Sequence, residues 1–102
     1  MPTRAAEFHP LARRELKKAE RGYRRYGSRT VQRFLQAVDD VLQRIASNAE
    51  LGSPYLRRFR WMQVKRYPYL LYYEIRDPLP VLIYASAHAR RRLGYWLRRA
   101  HP

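Results

Sequence analysis

Cysteine is absent from the chain, which excludes a disulfide framework and any thiolate metal site. Its three histidines are scattered and match no usual zinc spacing, so neither a metal nor another cofactor is expected. The opening MPTRAAEFHP lacks an apolar core and does not read as a signal peptide. The longest uncharged run, Pro78 to Ala89, is about half of what a membrane span needs, so no membrane partner is expected. These absences point to a reducing cytoplasm. Acidic residues are also scarce, eight against 22 lysines and arginines, which leaves a net charge of +14.

What is present begins with that charge. Residues 1–50 carry 11 basic and six acidic side chains, whereas residues 51–102 carry 11 and two, so the excess lies mostly in the second half. Arginine accounts for 19 of the 22 cations, and its planar fork suits phosphate and carboxylate alike. A field of that sign seeks a polyanion, either nucleic acid or an acidic protein. At 102 residues the length fits one domain, residues 1–102, able to bury about two-thirds of its unfolded surface.

Residues 3–8 (TRAAEF) read as a short strand, and His9-Pro10 opens a helix with proline in the tolerated first turn. Ala12, Leu16, Ala19, Tyr23 and Tyr26 then share one face, before Gly27 stops the helix and Ser28 caps the next. In the second helix Val31, Phe34, Leu35, Val38, Leu42, Ile45 and Ala46 form a continuous apolar stripe. The tight turn between the two predicts an antiparallel hairpin.

Beyond Asn48, AELGSP reads as loop. Three β-rich runs follow: LRRFRWMQVKRY, YLLYYEIR and VLIYASAH. DPLP (residues 77–80) separates the last two and predicts an antiparallel pair. In the first run Phe59 and Trp61 share one parity and Met62 and Val64 the other, which a bulge near Trp61 would reconcile. Tyr69 and Tyr73 share the parity of Leu71 and Ile75 and are assigned to the core. The whole reads as α+β: a helical hairpin packed on a small antiparallel sheet, with a short C-terminal helix or tail.

Several separated stretches are distinctive: Phe8-His9-Pro10-x-Ala12 with Glu15-Leu16, Arg66-Tyr67-Pro68-Tyr69 with Tyr72-Tyr73, and His88-x-Arg90-Arg91 with Gly94-Tyr95-Trp96. Their succession resembles the RelE/ParE family of toxins from bacterial type II toxin–antitoxin systems. The resemblance implies a growth-inhibiting toxin, of the kind that stabilises plasmids, neutralised by a cognate antitoxin with an acidic, poorly ordered segment. It leaves two mechanisms open. RelE-like members are ribosome-dependent mRNA endoribonucleases that work without a metal; ParE-like members poison DNA gyrase and need no catalytic residues.

For RNA cleavage the chain would need an acid or base and cations around the scissile phosphate. Arg60, Lys65, Arg91, Tyr95 and His88 are the candidates. Against that set, many RelE-like members carry an arginine where this chain has Leu70, so the gyrase reading is preferred. From another class, a non-toxic nucleic-acid-binding module also fits the charge. His88, on the parity of Leu82 and Tyr84, reads first as a structural hydrogen-bonder, and Glu74 as the partner of an arginine. In HARRRLGYWLRR (residues 88–99) a helical reading groups Leu93, Trp96 and Leu97, with Trp96 anchoring the tail on the sheet. Arg90, Arg91, Tyr95 and Arg98 then face outward, to grip the target or the antitoxin.

Overall fold

The computed structural model describes residues 6–76 and 81–100. A short strand β1 (Ala6–Phe8) leads into helices α1 (Pro10–Arg24) and α2 (Ser28–Ser47) and a 3-10 turn at Ala49–Leu51. Strands β2 (Ser53–Tyr55), β3 (Phe59–Gln63), β4 (Tyr69–Ile75) and β5 (Val81–His88) follow, and a second 3-10 turn spans Leu97–Ala100. The five strands form one sheet in the order β1-β5-β4-β3-β2.

Local chemistry accounts for the helical hairpin. The His9 side chain accepts from the Leu11 N–H, and Pro10 occupies a first-turn position where its missing N–H costs nothing. Gly27 has φ +103°, which only glycine adopts freely, and this lets α2 start at once. Ser28 is therefore the first residue of α2 and not its cap; that position falls to Gly27. Ala12 and Ala19 of α1 meet Phe34, Val38, Val41 and Ile45 of α2 in the main core. Val41 joins the predicted α2 stripe and the exposed Leu35 leaves it, while Tyr26, expected on the apolar face of the first helix, is exposed as well. Tyr26 lies past the end of α1, where the helical period no longer governs which way a side chain points.

The sheet is mixed, since β1 runs parallel to β5, pairing Ala6–Phe8 with Val81–Ile83. β2 begins within the stretch AELGSP, which reads as loop from the sequence. It is an edge strand, where proline's missing donor breaks no ladder, and among the described residues it pairs only with β3. β3, β4 and β5 form the expected antiparallel meander, with the turn at residues 77–80 outside the described residues, as are residues 3–5 of the first predicted strand.

Both faces of this sheet are covered, which resolves the two parities of β3 without a bulge there. Met62 and Val64 join Leu71, Tyr73, Val81 and Ile83 beneath the helices. Phe59, with Trp61 packed against it, belongs to a second cluster formed by Tyr72, Tyr84, Ala85, Ala87 and Trp96. The bulge lies between β4 and β5 instead: Tyr73 pairs with Ile83 and Tyr72 with Ala85, leaving Tyr84 as the extra residue. It turns Tyr84 and Ala85 to the same side and reverses the parity beyond them. Ser86 and His88 therefore face α1, and His88 does not share the side of Leu82 and Tyr84.

Candidate functional site at the C-terminal segment

Past β5 the chain turns sharply. The Arg91 N–H donates to the His88 carbonyl at 2.9 Å, and the Arg90 N–H to His88 Nδ1 at 3.1 Å. Gly94 at φ +75° then reverses the chain and delivers Trp96 to the second face of the sheet. Trp96 is 1% exposed, with ring centroids 4.9 Å from Phe59, 5.0 Å from Tyr72 and 6.0 Å from Tyr84. The expected anchor is in place. The helix expected around it is only the 3-10 turn at its end, and Leu93, assigned to the packing face, stands 74% exposed. Gly94 interrupts any helical register between Leu93 and Trp96.

A second anchor ties the same segment to α1. Glu15 accepts from Arg99 Nη1 at 2.9 Å and Nη2 at 2.8 Å, from the Tyr95 hydroxyl at 2.7 Å and from the Ser86 N–H at 3.0 Å. Arg99 Nη1 also donates to the Tyr84 carbonyl at 2.9 Å. The pair is largely shielded, Arg99 being 13% and Glu15 17% exposed at the side chain. Burial by itself would raise the Glu15 pKa, but the bonds from Arg99, Tyr95 and Ser86 outweigh it and hold the carboxyl below its ordinary 4.5. Burial and the bond to that carboxylate push Tyr95 up, so the phenol stays protonated. The Arg91 guanidinium lies 3.8 Å from the Tyr95 ring centroid, a cation over an aromatic face. Tyr95 thus points inward and carries Arg91 on its ring, whereas the sequence placed it outward.

The other candidates are dispersed. Arg60 donates to the carbonyls of Glu50 (3.1 Å) and Gly52 (2.9 Å), where it pins the loop before β2. Lys65 lines a groove of about 560 Å³ beside α2, with Arg33, Asp40, Arg44 and Arg66 around it. His88 and Arg91 line a different groove, about 360 Å³, with Glu15, Lys18, Tyr69 and Ser86. Arg90 and Arg98 are exposed. The structure therefore gathers His88, Arg91 and Tyr95 and leaves Arg60 and Lys65 elsewhere. Leu70 packs against the cluster around Trp96. Glu74, as expected, is held by Arg58 (2.9 Å) and Arg76 (3.5 Å) and accepts from Tyr84. Among the described residues no group of His, Asp or Glu could hold a metal ion, and no helix is long and apolar enough to cross a membrane.

Sequence reasoning missed Glu15 and Arg99 as a pair. One signal was available: Glu15 lies three residues after Ala12 and four before Ala19, on the buried flank of α1. Nothing local marks Arg99, which is 84 positions away.

The family model described as the ParE toxin of a type II toxin–antitoxin system, parDE, matches residues 6–93. The chain belongs to the ParE toxin family. As a ParE-family protein it is the toxin of a toxin–antitoxin pair and has an antitoxin as partner. No curated protein matches the chain. The family match spans both helices, the sheet and Glu15; Tyr95, Trp96 and Arg99, which fasten the last segment down, lie beyond it.

Proposed function

We propose that this toxin acts in the cytoplasm by poisoning DNA gyrase, inhibiting growth and thereby stabilising plasmids that carry it, and that an antitoxin with an acidic segment silences it. The observation that carries this reading is the occupancy of the sheet's second face. Where a ribosome-dependent nuclease would gather cations around a phosphate, Leu70 packs with Trp96, Phe59 and Tyr72 in an apolar cluster. The remaining nuclease candidates support the same reading by their engagements: Arg60 is spent on backbone carbonyls, and Tyr95 on Glu15. Arg90, Arg91 and Arg98 then serve as the outward grip for gyrase or for the antitoxin, with Tyr95 supporting Arg91 from beneath.

The endoribonuclease reading draws on one arrangement, His88 and Arg91 in a single groove. Inducing the chain in bacteria separates the possibilities. Growth arrest with lost plasmid supercoiling and unchanged mRNA 5′ ends is expected. New codon-linked 5′ ends without lost supercoiling would transfer the function to RNA cleavage. Unaffected growth would leave a non-toxic nucleic-acid-binding module.

A further inference from the structure

The solvent face of α1 carries Arg13, Arg14, Lys17, Lys18, Arg21 and Arg24, with Arg25 at its C-terminal cap, all exposed. Glu20 pairs with Arg24, and Arg13 lies over the Phe8 ring. Arg14, Lys17, Lys18, Arg21 and Arg25 form no ion pair among the described residues. From Arg14 to Arg25 this row is about 16 Å long at the helical rise. Duplex DNA presents roughly ten phosphates over the same length.

The row continues into the C-terminal segment. Lys18 and Gly22 of α1 line the groove of about 360 Å³ together with His88, Arg91 and Ser86. Gly22 presents no side chain there, and a Cβ would meet nothing within 4 Å. The Ser86 hydroxyl is buried, the residue being 2% exposed, and has no hydrogen-bond partner among the described residues. A hydroxyl of that kind is costly to bury unless something accepts from it. Glu15, the one acid among the groove's described residues, is already engaged by four donors.

We propose that the outer face of α1 and this groove together bind a nucleic-acid backbone without reading its sequence, one phosphate being held by Lys18, His88 and Arg91 over Ser86. The chemistry of the face favours nucleic acid over a protein. The cationic row contains no large exposed apolar side chain between Arg14 and Arg25, whereas a protein interface needs an apolar centre with few charges. Phosphate contacts need only exposed cations in a row, and they position without specifying. The groove beside α2 has the opposite character, cations around Ala37, Val41 and Tyr67, and it is left out of this surface. This function goes beyond gyrase poisoning and stands or falls separately from it.

The test is fluorescence anisotropy of the full chain on a mixed-sequence duplex of about 20 base pairs across a salt series. The triple variant Lys17→Gln/Lys18→Gln/Arg21→Gln should flatten the slope of log K against log salt by about two to three. Arg33→Gln/Arg44→Gln/Arg66→Gln, of equal net charge, should change it by less than about one. Ser86→Ala should weaken binding several-fold at an unchanged slope, and an unchanged affinity would remove the groove from the proposal. Equal flattening by both triple variants would overturn it, since net charge alone would then govern binding. Displacement of the duplex by poly-glutamate at equal charge concentration would also overturn it, by making the face a docking site for an acidic protein.

Discussion

At the scale of single residues, Glu15 ties the C-terminal segment to α1 by accepting from Tyr95 and Arg99. Glu15→Gln removes the charge opposite Arg99 and one of its two acceptor oxygens, leaving a shielded guanidinium unpaired. A loss of about 2–4 kcal/mol in a urea titration is expected. The pH dependence follows from the same bonds. Glu15 and Glu74 both have folded pKa values below their ordinary 4.5. Their stabilisation is fully present above that value and is lost as the pH falls through the folded values. Thermal stability should therefore drop on acidification below about pH 4.5, and Glu15→Gln should flatten that drop. Tyr95→Phe keeps the ring beneath Arg91 and loses only the hydroxyl bonded to Glu15. It should cost about 1–2 kcal/mol and leave toxicity intact. Abolished toxicity in a folded Tyr95→Phe protein would instead mark that hydroxyl as catalytic.

Elements differ in how much of them the sequence displays. The helices were legible because a 3.6-residue period repeats over several turns, so α2 is readable even with Val41 omitted and Leu35 included. The meander was legible from alternation and from the turn at residues 77–80. β2 was not, because three residues containing a proline carry no period, and its pairing depends on lying at an edge. The bulge at Tyr84 was equally silent, since an inserted residue changes parity without changing composition. That shift is what moved His88 to the α1 side and into the groove with Arg91. The C-terminal segment was half legible: a tryptophan among arginines announces an anchor, but Gly94 decides the backbone. Trp96→Ala should cost about 3–5 kcal/mol, because a fully buried indole leaves a cavity against four aromatic rings. Gly22→Ala should do the opposite within α1 and raise stability by about 0.5–1 kcal/mol, since its Cβ meets open space. Calorimetric melting of the two variants checks both signs.

For the molecule as a whole, the sheet divides labour between its faces. One side takes the helical hairpin and supplies most of the core. The other is closed by residues 95–100 over an aromatic cluster, with Arg58 over the Phe59 ring and Arg76 bonded to the Tyr84 hydroxyl. The surplus charge lies on α1, beside α2 and on Arg90, Arg91 and Arg98. Family membership makes the chain a toxin of a toxin–antitoxin pair, and this distribution of charge is what supports the proposal that it acts by holding its target. The most direct measurement adds the purified chain to a gyrase supercoiling reaction and, in parallel, to ribosomes engaged on mRNA. Inhibited supercoiling with trapped, cleaved DNA and intact mRNA is the predicted result. Unimpaired supercoiling with codon-linked cleavage of the mRNA would contradict it.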